Sequence, residues 1–199
     1  SIKNDFLEIN GEKTFVTNGG HAYSYVLSTT AAEAGAPPDL FSAVVVPHES
    51  KGLKWGKEWR GLGMRGNASR SLELSNVKIK KENLLGEEGD QLWYMFNVVT
   101  HYFLMAMAGT YLGLAEAALD EAVGHIKKRT YSFSGAGLAE NNILQYQVGQ
   151  LWGKVERTRQ LIYNAARQGD YGEANAMPSI LASKAEVGDC VTAVVNEAM

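Results

Sequence analysis

Phe15 and Thr17 stand two residues apart in the run Asn10-Gly-Glu-Lys-Thr-Phe-Val-Thr-Asn-Gly-Gly20, between two turn signals. Alternate side chains of an extended strand share a face, so the ring and the hydroxyl are expected to point the same way. A flat apolar surface beside one hydrogen-bond donor suits a planar heterocyclic cofactor, and it suits an ordinary barrel strand equally well. Arg129 is the second residue with chemical interest. It closes Lys127-Lys128-Arg129 at an expected helix end, where cations either complement the helix dipole or hold a phosphorylated ligand.

Other chemistries find no pattern. His21, His48, His101 and His125 are scattered and there is no Cys-x-x-Cys, so no metal-ligand spacing exists. No serine sits in Gly-x-Ser-x-Gly, which removes the support for nucleophilic hydrolysis. Gly61-Leu-Gly-Met-Arg-Gly66 lacks a following Lys-Ser/Thr pair and lies in β-rich sequence, so it reads as a turn rather than a phosphate loop. His101 reads as a hydrogen-bonded core residue, and Cys190 as a small core residue. One cysteine rules out an internal disulfide framework and agrees with a reducing compartment. A formal net charge of −3, with both signs mixed, leaves no basic footprint for nucleic acid.

The elements that position these residues change character near Gly86. Residues 1–87 carry short β-rich runs between turn dipeptides. Phe6 to Ile9, Asn10-Gly11 and Glu12 to Thr17 predict a hairpin with a type I′ turn. Further strands are expected over Tyr23 to Ser28, Phe41 to Val46, Leu53 to Trp55, Ser71 to Leu74 and Val77 to Ile79. Ala31 to Asp39, with Pro37-Pro38, reads as a loop. Residues 88–199 follow the helical period instead: one stripe from Leu92 to about Lys128, a second from Ile143 to about Gly169, and a third with Pro178 in its first turn. The expected fold class is α+β: a small antiparallel β-barrel-like domain, then an incomplete up-down α-helical bundle.

Gln91 to Ala115 contains no Asp, Glu, Lys or Arg and is long enough to cross a bilayer. Gln91, Asn97, Thr100, His101 and Thr110 interrupt it, so the reading is no membrane span but a helix buried on most sides, surrounded by other helices that can come from this chain or from other subunits. The first residues resemble neither a signal peptide nor an Arg-rich transit arm. Without an initiator Met, and with the last stripe still running at Met199, the chain is expected to be a piece of a longer protein. The expected compartment is the cytoplasm, or the mitochondrial matrix in a eukaryote.

The run Asn10 to Gly20 resembles the Asn-Gly-x-Lys-x-Trp-Ile-Thr-Asn-Gly motif of the acyl-CoA dehydrogenase family. Further landmarks similar to that family follow in order: Phe41 to Gly52, Leu62-Gly-Met-Arg65, Leu72-Glu-Leu-Ser-Asn-Val77, Leu85-Gly-Glu-Glu-Gly89 and Gly113-Leu-Ala-Glu-Ala-Ala-Leu-Asp-Glu-Ala122. The resemblance implies α,β-dehydrogenation of an acyl-CoA thioester, in which a carboxylate takes the α-proton and the β-hydrogen leaves as hydride to the N5 of FAD. By the same resemblance Phe15, in place of the usual Trp, packs on the isoalloxazine. Thr17 hydrogen-bonds near N5 and Val16 adds backbone contacts. Arg129 meets the FAD pyrophosphate across a subunit interface, with Thr130 and Tyr131 beside it, and Asn142 is the candidate for the next FAD-contacting amide.

The implied partners are the acyl-CoA substrate, electron-transfer flavoprotein or a similar acceptor, and further copies of the chain assembled as dimer or tetramer through the C-terminal helices. The chain also departs from the pattern. The family commonly carries an Arg nine residues before Gly113, where this chain has Leu104. Some branches place the catalytic Glu one residue earlier, which here is Phe103. The commoner catalytic Glu follows a Gly-Gly segment expected beyond Met199, so no residue here is assigned as the base and the fragment alone is expected to be inactive. Two alternatives share the scaffold: a flavin-dependent monooxygenase, and a non-catalytic acyl-CoA-binding or assembly protein.

Overall fold

The computed structural model describes residues 2–3, 5–32, 35, 37 and 40–199. Glu33, Ala34, Ala36, Pro38 and Asp39, within the expected Ala31–Asp39 loop, lie outside the described residues. The chain forms two compact units that divide between Met95 and Phe96.

The first unit contains β1 (Ile2–Lys3), β2 (Phe6–Val16), β3 (Ser24–Thr30), β4 (Phe41–Pro47), β5 (Leu53–Trp55), β6 (Arg70–Lys80), β7 (Leu84–Leu85) and a single helical turn, α1 (Gln91–Tyr94). The strands make two antiparallel sheets, ordered β1-β2-β6-β5 and β3-β4-β7, which remain separate rather than closing into a barrel. Alternation places Leu7, Ile9, Leu72, Leu74, Val77 and Ile79 of one sheet against Tyr25, Leu27, Val44 and Val46 of the other, in one buried cluster. Burial of that apolar surface is the main term holding the sheets together, at about 25 cal/mol per Å² removed from water.

The expected hairpin at Asn10-Gly11 does not form. β2 runs through that dipeptide as one 11-residue strand, because the long β6 pairs with it on both sides. Asn and Gly serve a bulge instead of a turn. Ile9 pairs with Val77 and Gly11 with Leu74, so β6 carries one extra residue. There Asn76 adopts φ 51° and Gly11 φ 143°. The Asn10 side-chain oxygen accepts the Asn76 amide at 2.7 Å, satisfying the donor that the bulge removes from the ladder. By the same pairing, Ser71 to Leu74 and Val77 to Ile79 are two parts of the single strand β6.

The second unit contains α2 (Thr100–Lys128), α3 (Asn142–Asp170) and α4 (Ala176–Ala198). α2 continues α1 through a π-helical turn over Met95–Val99. Ala108, Leu112, Ala115 and Leu119 recur at helical spacing and are buried with Leu151, Val155 and Ile162 of α3 and Val187, Cys190 and Val194 of α4. The two polar residues buried in this unit, Thr158 and Ser183, satisfy their hydroxyls within their own helices, on the Lys154 and Ile180 carbonyls. Asn141 caps α3 by accepting the Ile143 and Leu144 amides.

The Gln91–Lys128 helix is long and apolar enough to cross a membrane by length and composition. Within one copy of the chain, most of its surface is uncovered. Its partners in the bundle cover only the Ala108–Leu119 stripe, and Phe96, Val99, Tyr102 and Phe103 stay exposed.

A polar group ties α2 to α3. Arg159 donates from Nε and Nη2 to one Glu116 oxygen, at 3.0 and 2.7 Å, and from Nη1 to Glu156 on its own helix. The Glu116 hydrogen bond, opposed by partial burial and aided by the charges of Glu116 and Glu156, raises the guanidinium pKa above its usual value. All three side chains remain about one-third exposed, which limits their worth. A double-mutant cycle on Arg159→Met and Glu116→Gln, read by urea unfolding, is expected to give a coupling of about 1 kcal/mol. A coupling indistinguishable from zero would show that the pair is ornamental.

Candidate functional site

Phe15 and Val16 are the last two residues of β2, and Thr17 opens the turn that follows. A second bulge precedes them: Lys13 pairs with Leu72 and Val16 with Arg70, leaving one extra residue on β2. Because Thr17 lies past the end of β2, strand alternation does not relate it to Phe15. Both side chains are nevertheless solvent-accessible, Phe15 at 71%, and Val16 is half-buried. A large aromatic this exposed at a strand end is unusual for a core-forming position. Trp59 stands edge-on to it, with centroids 5.9 Å apart and planes at 78°. The Trp59 indole N–H is held by the Gly63 carbonyl at 2.9 Å. The sequence offered no spacing that would have paired Trp59 with Phe15, since the contact crosses a loop of irregular backbone.

That loop contains the Gly61–Gly66 run, which does turn as expected. A single 3-10 turn spans Arg65–Asn67, flanked by Met64 at φ 56° and Ala68 at φ 49°. Left-handed backbone at two non-glycine residues is strained and persists only where the surroundings enforce it. The enforcement comes from the turn after Thr17: the Asn18 and Gly19 amides donate to the Asn67 and Ala68 carbonyls at 2.9 and 3.1 Å. Gly19 fits closely there: a Cβ would lie 3.0 Å from the Val16 carbonyl oxygen and 3.1 Å from both Arg70 and Trp55, so these neighbours would have to give by a few tenths of an ångström.

A cavity of about 350 Å³ opens elsewhere in the first unit, at the gap between the unclosed sheets. Leu7, Ile9, Leu27 and Leu74 line it with Glu12 and Lys13, and none of Phe15, Val16 or Thr17 does. The Lys13 ammonium is spent on the Ser28 carbonyl at 2.6 Å. The first half of the Asn10–Gly20 run thus borders this cavity, while Phe15, Val16 and Thr17 lie away from it.

In the second unit, Arg129 ends α2 with extended backbone, donates its amide to the His125 carbonyl and accepts the Leu138 amide on its own carbonyl. Thr130 bridges Gly137, and Tyr131 exchanges hydrogen bonds with Ala136 and Gly135, so residues 129–138 form a tight hairpin loop. Gly135 at φ 72° turns its tip, where Phe133 is 86% exposed and packs against Tyr131 at 5.5 Å. The Arg129 side chain is exposed and makes no ion pair among the described residues. Asn142, the first residue of α3, is exposed beside the capping Asn141. An Asn immediately before a helical stripe is the signal that identifies Asn141 as the cap.

Phe15, Val16 and Thr17 thus sit together in the first unit, and Arg129, Thr130, Tyr131 and Asn142 cluster around one loop in the second. No group of His, Cys, Asp and Glu among the described residues is arranged to hold a metal ion. His101, on the first turn of α2, is half-buried, and its Nδ1 has no hydrogen-bond partner among the described residues. Phe103 is exposed and Leu104 half-buried.

Comparison with known proteins identifies the family. Residues 1–77 match the family described as "Acyl-CoA dehydrogenase, middle domain", and residues 93–199 match "Acyl-CoA dehydrogenase, C-terminal domain". The chain is 31% identical over 197 residues to a glutaryl-CoA dehydrogenase of Desulfococcus multivorans, covering 99% of this chain and 50% of that protein. It is 32% identical over 197 residues to an acyl-CoA dehydrogenase of Bacillus subtilis, covering 96% of this chain and 51% of the relative. The solved butyryl-CoA dehydrogenase from Megasphaera elsdenii superposes with a TM-score of 0.88 at 27% identity, over 98% of this chain and 50% of that one. A chain from a structure titled "Electron transferring flavoprotein of Acidaminococcus fermentans: Towards a mechanism of flavin-based electron bifurcation" superposes with a TM-score of 0.90 at 27% identity, over 99% and 50% respectively. The chain spans about half the length of the relatives it matches. With two of that family's domains matched in order along nearly its whole length, the chain belongs to the acyl-CoA dehydrogenase family.

Proposed function

We propose that this chain is the middle and C-terminal part of an FAD-dependent oxidoreductase that dehydrogenates an acyl-CoA thioester between its α and β carbons. The observation that carries the reading is the pairing of family membership with an exposed Phe15 and Thr17 at the end of β2. Bound FAD would supply the two-electron acceptor for the β-hydrogen. Phe15, walled on one edge by Trp59, packs against the flavin ring. Thr17 offers its hydroxyl near the ring nitrogen whose electron density changes on reduction, and Val16 adds backbone contacts. Arg129, with Thr130 and Tyr131 on the same loop, takes the pyrophosphate of the FAD bound by another copy of the chain, through a planar fork that lysine lacks, and Asn142 adds an amide. The proton-abstracting carboxylate is assigned to no residue of this chain.

The proposed partners are the acyl-CoA substrate, electron-transfer flavoprotein or a similar acceptor, and other copies of the chain through α2, α3 and α4. The exposed apolar residues of α2 favour such an assembly. The cytoplasm, or a mitochondrial matrix, is the proposed compartment. A monooxygenase on the same scaffold is the second reading, favoured by Leu104, an apolar residue where the family commonly carries an Arg. The full-length protein is expected to purify with FAD and to lose its visible absorption on reduction with dithionite. Protein that stays colourless after incubation with FAD sinks both flavin readings.

A further inference from the structure

Tyr25 is a buried aromatic near the start of β3, 6% exposed and paired with Val46 of β4. Its ring packs 4.9 Å from Trp55. Its hydroxyl leaves the core and enters the turn after Thr17. There it donates to the Asn18 carbonyl at 3.0 Å and accepts the amides of Gly20 at 2.9 Å and Ala22 at 3.2 Å. One side chain therefore closes three backbone hydrogen bonds of a single turn.

Thr17 is consequently held from both sides. Before it, Val16 is paired to Arg70 in the β1-β2-β6-β5 sheet. After it, the Asn18 amide is fixed on the Asn67 carbonyl and the Asn18 carbonyl on Tyr25, a residue of the other sheet. Asn18 adopts φ 52° and Gly20 φ 80°. A short segment with two such residues would sample other conformations if it were free, and here it is stapled. Trp55 closes the underside, since a Cβ on Gly19 would lie 3.1 Å from its ring.

We propose that Tyr25 is a positioning residue for the flavin: its hydroxyl ties the Asn18–Ala22 turn to the second sheet and so presents Thr17 in one conformation before the cofactor arrives. The proposal rests on the flavin reading above. Ordering a binding segment in advance removes an entropic cost from association, so the effect belongs in cofactor affinity and not only in stability.

In full-length protein, Tyr25→Phe keeps the ring and removes the three hydrogen bonds. The FAD dissociation constant is expected to rise on the order of tenfold, with a changed flavin fluorescence. Val44→Ala, in the same core, serves as the stability control and is expected to leave FAD affinity within about twofold. Wild-type affinity in Tyr25→Phe, or an equal loss in Val44→Ala, overturns the proposal. Amide exchange on FAD-stripped wild-type protein gives a second readout that does not depend on a variant folding. Gly20 and Ala22 protected as well as the β3–β4 amides support a preformed turn, and exchange at free-loop rates overturns it. Wild-type protein that binds no FAD fails the flavin reading itself, a result distinct from a loss confined to Tyr25→Phe.

Discussion

Arg129→Glu in the full-length protein is expected to weaken FAD binding by roughly a hundredfold to a thousandfold while leaving the fold intact. The backbone of residue 129 is fixed by two main-chain hydrogen bonds that do not involve its side chain, and the guanidinium is exposed with no ion pair among the described residues. Removing it should therefore cost the FAD-free protein no more than about 0.5 kcal/mol, as at other unconstrained surface positions. Loss of a forked charge-assisted contact with a pyrophosphate costs about 1.5–3 kcal/mol per hydrogen bond, and a carboxylate adds repulsion. Arg129→Lys should fall between, because an ammonium keeps the charge but loses the fork. Fluorescence titration with FAD, beside thermal unfolding of the FAD-free protein, separates binding from folding. Unchanged FAD affinity in Arg129→Glu would remove Arg129 from the site.

Leu72→Ala carries the largest expected effect on stability, about 2–5 kcal/mol. Leu72 is fully buried near the start of β6, paired with Lys13 of β2 and Trp55 of β5, and its side chain lies in the cluster shared by both sheets. Truncation leaves a void that two laddered sheets cannot close. Trp55 packs against the same cluster, so its emission during urea unfolding reports on this unit. A midpoint shift smaller than that of an exposed substitution such as Lys54→Ala would contradict the packing described here. Because β6 also anchors Val16 through Arg70, the same variant should lower FAD occupancy near its unfolding midpoint.

Much of this was legible in the residues themselves, and the failures have physical causes. The helices were readable because 3.6-residue periodicity survives over 29 residues in α2 and in α3. The strands were readable as runs, but their joints were not. Asn10-Gly11 and Asn76 favour positive φ, and local sequence does not tell a hairpin turn from a bulge. The decision came from the length of β6, which pairs across both irregularities. The Gln91–Lys128 helix was legible as apolar, but composition does not say which neighbours cover it. Phe15 and Thr17 were found by motif, and their exposure agrees with a ligand-facing role. The supporting residues Trp59 and Tyr25 were invisible, since a ring edge and a hydroxyl that reach across a fold leave no spacing in the sequence.

The central claim is that this chain supplies the flavin-facing half of an acyl-CoA-oxidising enzyme. Anaerobic titration of the full-length, FAD-loaded protein with acyl-CoA thioesters of varied chain length tests it most directly. Bleaching of the flavin's visible absorption by at least one saturated thioester, with release of the corresponding enoyl thioester, is the predicted result. A flavin that dithionite reduces but no thioester does, across short, medium, long and branched acyl groups, would contradict it.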